Sequence, residues 1–83
     1  LSVFPNPSSS DATLVVDVAR TDEYTVSISN ALGQHVKTIA YTTLSKGAHQ
    51  FTLVLSDLPP ATYVLSIRNS DRVMTTLRVV RTP

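Results

Sequence analysis

The sequence predicts an all-β domain, a seven-stranded antiparallel β-sandwich, on three observations. Val, Ile and Thr number 11, 3 and 11 of the 83 residues, so 25 side chains are β-branched and suit strands better than helices. Apolar and polar residues alternate over short stretches, the period of a half-buried strand. Turn residues interrupt these stretches roughly every ten residues, the spacing of sandwich strands. A two-sheet sandwich buries one face of each sheet, so alternation is expected in place of long apolar runs.

The elements follow in order. Leu1–Phe4 is short and extended, and Pro5-Asn6-Pro7 then forbids a helix, because proline fixes φ and pushes the preceding residue to the extended region. Ser8–Asp11 continues as loop. Ala12–Val18 is a strand with Leu14, Val16 and Val18 on one face, and Ala19–Asp22 is a polar turn. Glu23–Ser29 alternates most clearly, with Tyr24, Val26 and Ile28 inward. Asn30-Ala31-Leu32-Gly33 places Asn and Gly where a tight turn needs them, predicting a hairpin into Gln34–Thr42.

That fourth segment is ambiguous. Leu32, Val36, Ile39, Ala40 and Thr43 have helical spacing, but Val36, Thr38, Ile39, Thr42 and Thr43 are β-branched. It is assigned as strand because such side chains lose rotamer freedom in a helix. Leu44–Gly47 turns the chain into Ala48–Leu55, with Phe51, Leu53 and Leu55 inward. Leu58-Pro59-Pro60 lies in a corner spanning Ser56–Thr62 that no central strand could hold. Tyr63–Asn69 points Tyr63, Leu65 and Ile67 inward, and Ser70-Asp71-Arg72 makes the last turn. Val73–Val80 closes the domain with Leu77 and Val79 inward.

Composition bounds the function. A chain of 83 residues is one small domain, residues 1–83, expected to be a module cut from a longer protein. At this size a chain buries roughly 60% of its unfolded surface and has little core to spare for a deep active-site cavity. With 42% hydrophobic and 16% charged residues, the composition is not that of a disordered segment. The longest apolar run is three residues, too short for a membrane-spanning helix or a signal-peptide core. The absence of cysteine removes thiolate catalysis and cysteine metal sites, and a net charge of +1 argues against a general nucleic-acid binder. That charge is uneven. Residues 1–67 carry three cations against five anions, whereas residues 68–83 carry four, Arg68, Arg72, Arg78 and Arg81, against Asp71 alone. The tail is either a solvated last strand or a docking element.

No catalytic, cofactor or metal constellation stands out, and the chain is expected not to be an enzyme. His35 and His49 lie on two predicted strands without metal-ligand spacing. Ser56-Asp57 beside His49 has the letters of a triad without an elbow motif. Most of the acidic residues sit at turns, where Asp caps backbone donors, and none follows the spacing of a calcium loop. Gly33 and Gly47 are the only glycines, so there is no phosphate-cradling loop. Tyr24, Phe51 and Tyr63 fall on core positions, which leaves Tyr41 as the one ring placed to stack on a sugar. Val15, Val54, Val64 and Val80 fall outward, and Val54 with Val64 would form an apolar patch if the fold brought them together.

Several blocks together resemble a known family. They are Val3-Phe4-Pro5-Asn6-Pro7, the stretch from Tyr24 through Asn30-Ala31-Leu32-Gly33-Gln34-His35-Val36, Leu58-Pro59-Pro60-Ala61-Thr62-Tyr63, and the closing Leu77-Arg78-Val79-Val80-Arg81. In combination they look like the type A C-terminal sorting domain of type IX (Por) secretion system cargo. Pro5, Asn6, Pro7, Gly33, Leu58, Pro59 and Tyr63 occupy the family's motif positions. Ala61 stands where the family usually has glycine, so either the corner is built differently or Ala61 is strained. Arg81 is followed by Thr82 and Pro83, where the family often ends on a basic residue.

The resemblance implies an Ig-like sandwich, C-terminal to a secreted cargo domain. It implies recognition by an outer-membrane translocon of Gram-negative bacteria and removal by a sortase-like peptidase. Localisation would be periplasmic in transit, then the cell surface or outside. The last strand, Leu77, Arg78, Val79, Val80 and Arg81, would be the translocon-recognition element, with no cofactor and no nucleic-acid partner. Open sheet edges leave room for a homodimer. The alternatives are an Ig- or fibronectin-like adhesion or carbohydrate-binding accessory module, and a structural spacer in a multidomain enzyme.

Overall fold

The computed structural model describes residues 2–4 and 11–83, and of Val73 and Met74 the backbone only. The motif residues Pro5, Asn6 and Pro7 lie outside the described residues. The rest is all-β, with no helix among the described residues: β1 (Ser2–Phe4), β2 (Ala12–Val18), β3 (Asp22–Asn30), β4 (His35–Leu44), β5 (Gly47–Leu53), β6 (Ala61–Arg68) and β7 (Val73–Arg81). They form a three-stranded sheet in the order β1-β2-β5 and a four-stranded sheet in the order β4-β3-β6-β7, every pair antiparallel.

The alternation anticipated from the sequence sets the core. Leu14, Val16, Val18 and Leu53 from one sheet, with Leu55 just beyond it, are at most 1% exposed. Tyr24, Val26, Ile28, Tyr63, Leu65, Ile67 and Val79 from the other are all buried as well. Phe51, assigned inward, is half-buried and packs on the edge of this core, as does Leu77.

The ambiguous fourth segment is a strand, and its helical look has a structural cause. The β3–β4 register slips between Val26 and Ser27 and again between Ile28 and Ser29, leaving Ile39 and Val36 as extra residues on β4. Each bulge inserts a residue and re-aims the side chains around it. Val36, Ile39 and Ala40 therefore all pack on the core from an edge strand, at a spacing that imitates a helix face.

Two crossings carry the chain from the three-stranded to the four-stranded sheet. Each is closed by a buried tyrosine bonded back to a carbonyl four residues earlier: Tyr24 to Arg20 at 2.7 Å and Tyr63 to Pro59 at 2.5 Å. The second, near the start of β6, has the geometry of the tyrosine corner found in immunoglobulin-like sandwiches. Ala61 opens β6 opposite Arg81, and among the described residues only Gly33 and Gly47 have positive φ. The corner is thus built without a left-handed residue at Ala61, and no strain resides there. Gly33, at φ 83°, closes the β3–β4 turn, where the Asn30 side-chain oxygen accepts from the amides of Leu32 and Gln34.

Candidate recognition surface

The outward face of the four-stranded sheet is rich in hydroxyls and arginine. Thr25 on β3 sits opposite Tyr41 on β4 and opposite Arg68 on β6, so one lateral row reads tyrosine, threonine, arginine. The outer two are separated by two strand spacings, about 10 Å. A short residue between two long ones makes a groove, of about 280 Å³, whose walls include Glu23, Tyr41, Arg68 and Arg72. Tyr41 is 71% exposed.

The β6–β7 turn forms the far wall and is internally braced. The Asn69 side-chain oxygen accepts from the amides of Asp71 and Arg72, each at 2.9 Å, and the Asn69 amide donates to the Arg72 carbonyl. The turn is also tied to the β2–β3 crossing. Arg20 donates to Asp22 at 3.1 Å and to Asp71 at 3.0 Å, while Ser70 donates to Asp22. The hydrogen bond to Asp71, then that to Asp22, raise the Arg20 pKa further above its ordinary value. The Glu23 amide, donating at 2.7 Å, is the main cause that holds Asp22 below the ordinary carboxylate value, followed by Ser70 and Arg20 against the opposing effect of desolvation. Asp71, which lines the groove with Arg68 and Arg72, is thereby paired with Arg20.

The basic tail divides into residues with different duties. Val79 is fully buried in the core and Leu77 packs against it. Arg81 is half-buried and donates through Nε to the Leu55 carbonyl at 3.0 Å, and through Nη1 to the Thr82 carbonyl. Arg78 is exposed and Val80 half-buried, on the outward face opposite Val64 and Thr62 respectively. Of the five tail residues singled out from the sequence, two thus face outward, two face the core and one fastens a corner. The family-motif residues Leu58, Pro59 and Tyr63 belong to that corner: the Leu58 amide donates to the Leu55 carbonyl, and Pro59 supplies the acceptor for Tyr63. Lys37, half-buried, donates to the Val54 carbonyl at 2.5 Å and to Asp57 at 3.0 Å from the opposite edge.

The remaining candidates do not converge. His35 lies on β4 beside Thr38, and His49 on β5 of the other sheet contacts the Ser45 carbonyl. Ser56 reaches Asp11 and Asp57 reaches Lys37, so neither assembles with His49. Val54 follows β5 of the three-stranded sheet, whereas Val64 lies on β6 of the four-stranded one, so they do not make the single-faced patch that their alternation would allow. Arg68 and Arg72 were visible in the sequence only as tail charge; their alignment with Tyr41 depends on strand order.

A family model described as the secretion system C-terminal sorting domain matches residues 2–81. The chain belongs to that family. The match spans nearly the whole sandwich, from β1 to the end of β7, and makes this a sorting domain of type IX secretion. No curated protein and no solved structure matches the chain. Membership accounts for the shared motif positions, whereas the duties of the tail residues come from the geometry above.

Proposed function

We propose that this sorting domain is the export address of a cargo domain joined to its N-terminus. An outer-membrane translocon recognises it, and a sortase-like peptidase then removes it. The cargo passes through the periplasm and finishes at the cell surface or outside the cell. The observation that carries the reading is the family match over residues 2–81. The small sandwich supports it, since its interior is filled by Leu14, Ile28, Leu53, Leu65 and their neighbours and the domain offers its partners a surface. The last strand contributes to recognition through the residues it turns outward, Arg78 and Val80, while Leu77, Val79 and Arg81 hold the strand in place. The test is export of a reporter fused upstream of the chain in a bacterium carrying the secretion system. Export and removal of the domain are expected with the chain, and periplasmic retention without it. Equal export with and without it overturns the reading.

A carbohydrate-binding module is the second reading, and the exposed Tyr41 ring beside the groove is the observation in its favour. It predicts glycan binding by the isolated domain that is lost in Tyr41→Ala.

A further inference from the structure

The sandwich has four edge strands, β1 and β5 in one sheet and β4 and β7 in the other. Three of them carry a feature that discourages pairing with a further strand. β1 spans only three residues. β4 is interrupted by two register slips and carries Lys37, and β7 carries Arg78 and Arg81. β5 has none of these features. Its seven residues, Gly47–Leu53, include no Asp, Glu, Lys, Arg or Pro, and they pair with β2 in one unbroken register. Among the described residues no strand pairs with its other side. In an antiparallel pair alternate residues bond the neighbour, so the remaining residues of β5 point their amides and carbonyls away from β2. The open row is bounded at both ends. Just past β5 the Val54 carbonyl already accepts from Lys37, and just before it the Lys46 amide donates to the Thr21 hydroxyl.

We infer that this edge takes an extended segment of a protein partner, which adds a strand beside β5 and forms a reversible contact with the export machinery. The inference rests on the sorting reading for who the partner is, and on the edge itself for the partner's chemistry. A row of unpaired main-chain groups at strand spacing is matched by an extended backbone. Side chains then set the pattern. Ala48, Gln50 and Thr52 are exposed and neutral, whereas His49 and Phe51 are half-buried on the opposite face of the strand. Phe51 packs on the rim of the core. An uncharged segment, apolar at every second residue, covers the rest of Phe51 with one face and sets its polar residues beside Gln50 and Thr52. Size selects such a segment over a second copy of the chain. Seven residues make an edge about 23 Å long. A contact of that length falls below the roughly 1,200 Å² of a stable protein interface. A second copy, rigid in its own sandwich, gains little beyond the edge, whereas a weak and reversible contact suits a domain that is removed after export.

The first experiment titrates the purified chain with the peptide acetyl-Thr-Val-Thr-Val-Thr-Val-Thr-amide and follows backbone amide exchange by NMR. Exchange should slow several-fold at alternate residues of β5 and stay unchanged on β4 and β7. Heptaproline, extended but without backbone amide donors, should slow nothing. Unchanged exchange on β5, slowing confined to β4 or β7, or equal slowing with heptaproline overturns the inference. Slowing that grows with chain concentration alone, together with a doubled molecular mass in solution, overturns it in favour of a second copy. The second experiment uses the upstream reporter joined to the full chain in the secreting bacterium. Gln50→Lys with Thr52→Lys places lysines on the open edge and is expected to cut export about fivefold or more. The purified variant should melt within about 3 °C of the parent, because both side chains are exposed. Gln50→Thr with Thr52→Val should be exported like the parent. Thr42→Lys with Thr43→Lys, the same charges on exposed positions of β4, should be exported like the parent too. An equal loss in that variant makes charge the cause and overturns the inference. If the β5 lysines leave export intact while deletion of the whole domain blocks it, the inference falls and the sorting reading stands. If the deletion is exported as well, both fall.

Discussion

At the β2–β3 crossing Tyr24 closes on the Arg20 carbonyl, and at the β5–β6 crossing Tyr63 closes on that of Pro59, each tyrosine reaching back four residues. The surroundings differ. The first crossing is short and is fastened from outside by ions: Arg20, Asp22 and Asp71, with Ser70, tie it to the β6–β7 turn. The second is longer, carries two prolines and the fully buried Leu55, and is held mainly by donors to main-chain carbonyls, Lys37 to Val54 and Arg81 to Leu55. One device therefore closes both ends, but the first end takes its rigidity from charge and the second from burial and backbone hydrogen bonds. The groove beside Tyr41 and Arg68 abuts the ionic end and the terminal Arg81 serves the buried end, so groove and anchor occupy different parts of the tail.

The comparison breaks most readily at Leu55. Its side chain is fully buried although it lies beyond β5, so the corner itself contributes to the core. Leu55→Ala should cost about 2–5 kcal/mol in denaturant unfolding, the usual range for removing a buried leucine side chain. A cost under about 1 kcal/mol would mean that the corner is peripheral after all and that the two ends are alike.

Arg81→Ala comes next. It removes a charged donor from the Leu55 carbonyl, which keeps the Leu58 amide as a second partner. About 1.5 kcal/mol is expected, at the low end for a hydrogen bond from a charged group because the acceptor stays satisfied. Unchanged stability together with lost export would make Arg81 a recognition residue and not a fastening.

Below that stand the tyrosine hydroxyls. Tyr24→Phe and Tyr63→Phe should each cost about 1 kcal/mol, the net value of one hydrogen bond. Tyr63 pairs with Asn30, six residues along β3 from Tyr24, so the two corners are about 20 Å apart and the double variant should be additive. A marked departure from additivity would show the two ends to be mechanically coupled.

How much of this was legible follows from range. Strand faces such as Leu14–Val16–Val18 and Tyr24–Val26–Ile28 are local period-two signals, and burial follows them residue by residue. On β4 the same signal failed to decide because two bulges turn period two into spacings of three, and a bulge is a property of the pairing rather than of one strand. Ala61 looked awkward only by comparison with a glycine motif; its actual conformation is an ordinary strand opening. The groove was least legible. Tyr41, Thr25 and Arg68 meet only because β3 lies between β4 and β6, and Arg20 meets Asp71 across 51 residues of sequence. The basic tail could be counted, but its division into outward Arg78 and corner-bound Arg81 needed the sandwich.

The smallest expected effect isolates the ionic end. Asp22 is held below its ordinary value of 3.8 chiefly by the Glu23 amide, so in the acid range the unfolded chain binds the proton that the folded chain refuses. Stability then rises with pH through that window; the contribution is complete above the ordinary aspartate value and is lost as pH falls through the depressed one. Arg20, whose pKa is raised by its hydrogen bonds to Asp71 and Asp22, stays charged throughout and adds no pH dependence of its own there. Melting followed from neutral pH into the acid range should therefore show a decline that is shallower in Asp22→Asn. Concentrated salt should narrow the neutral-pH gap between the two chains, because at about 1 M the screening length is only about 3 Å. At the buried end Arg81 donates to a main-chain carbonyl and no carboxyl group takes part, so the cost of Arg81→Ala should be the same on either side of this window. Should Arg81→Ala acquire the acid dependence and Asp22→Asn lack it, the assignment of charge to one corner and burial to the other would be reversed.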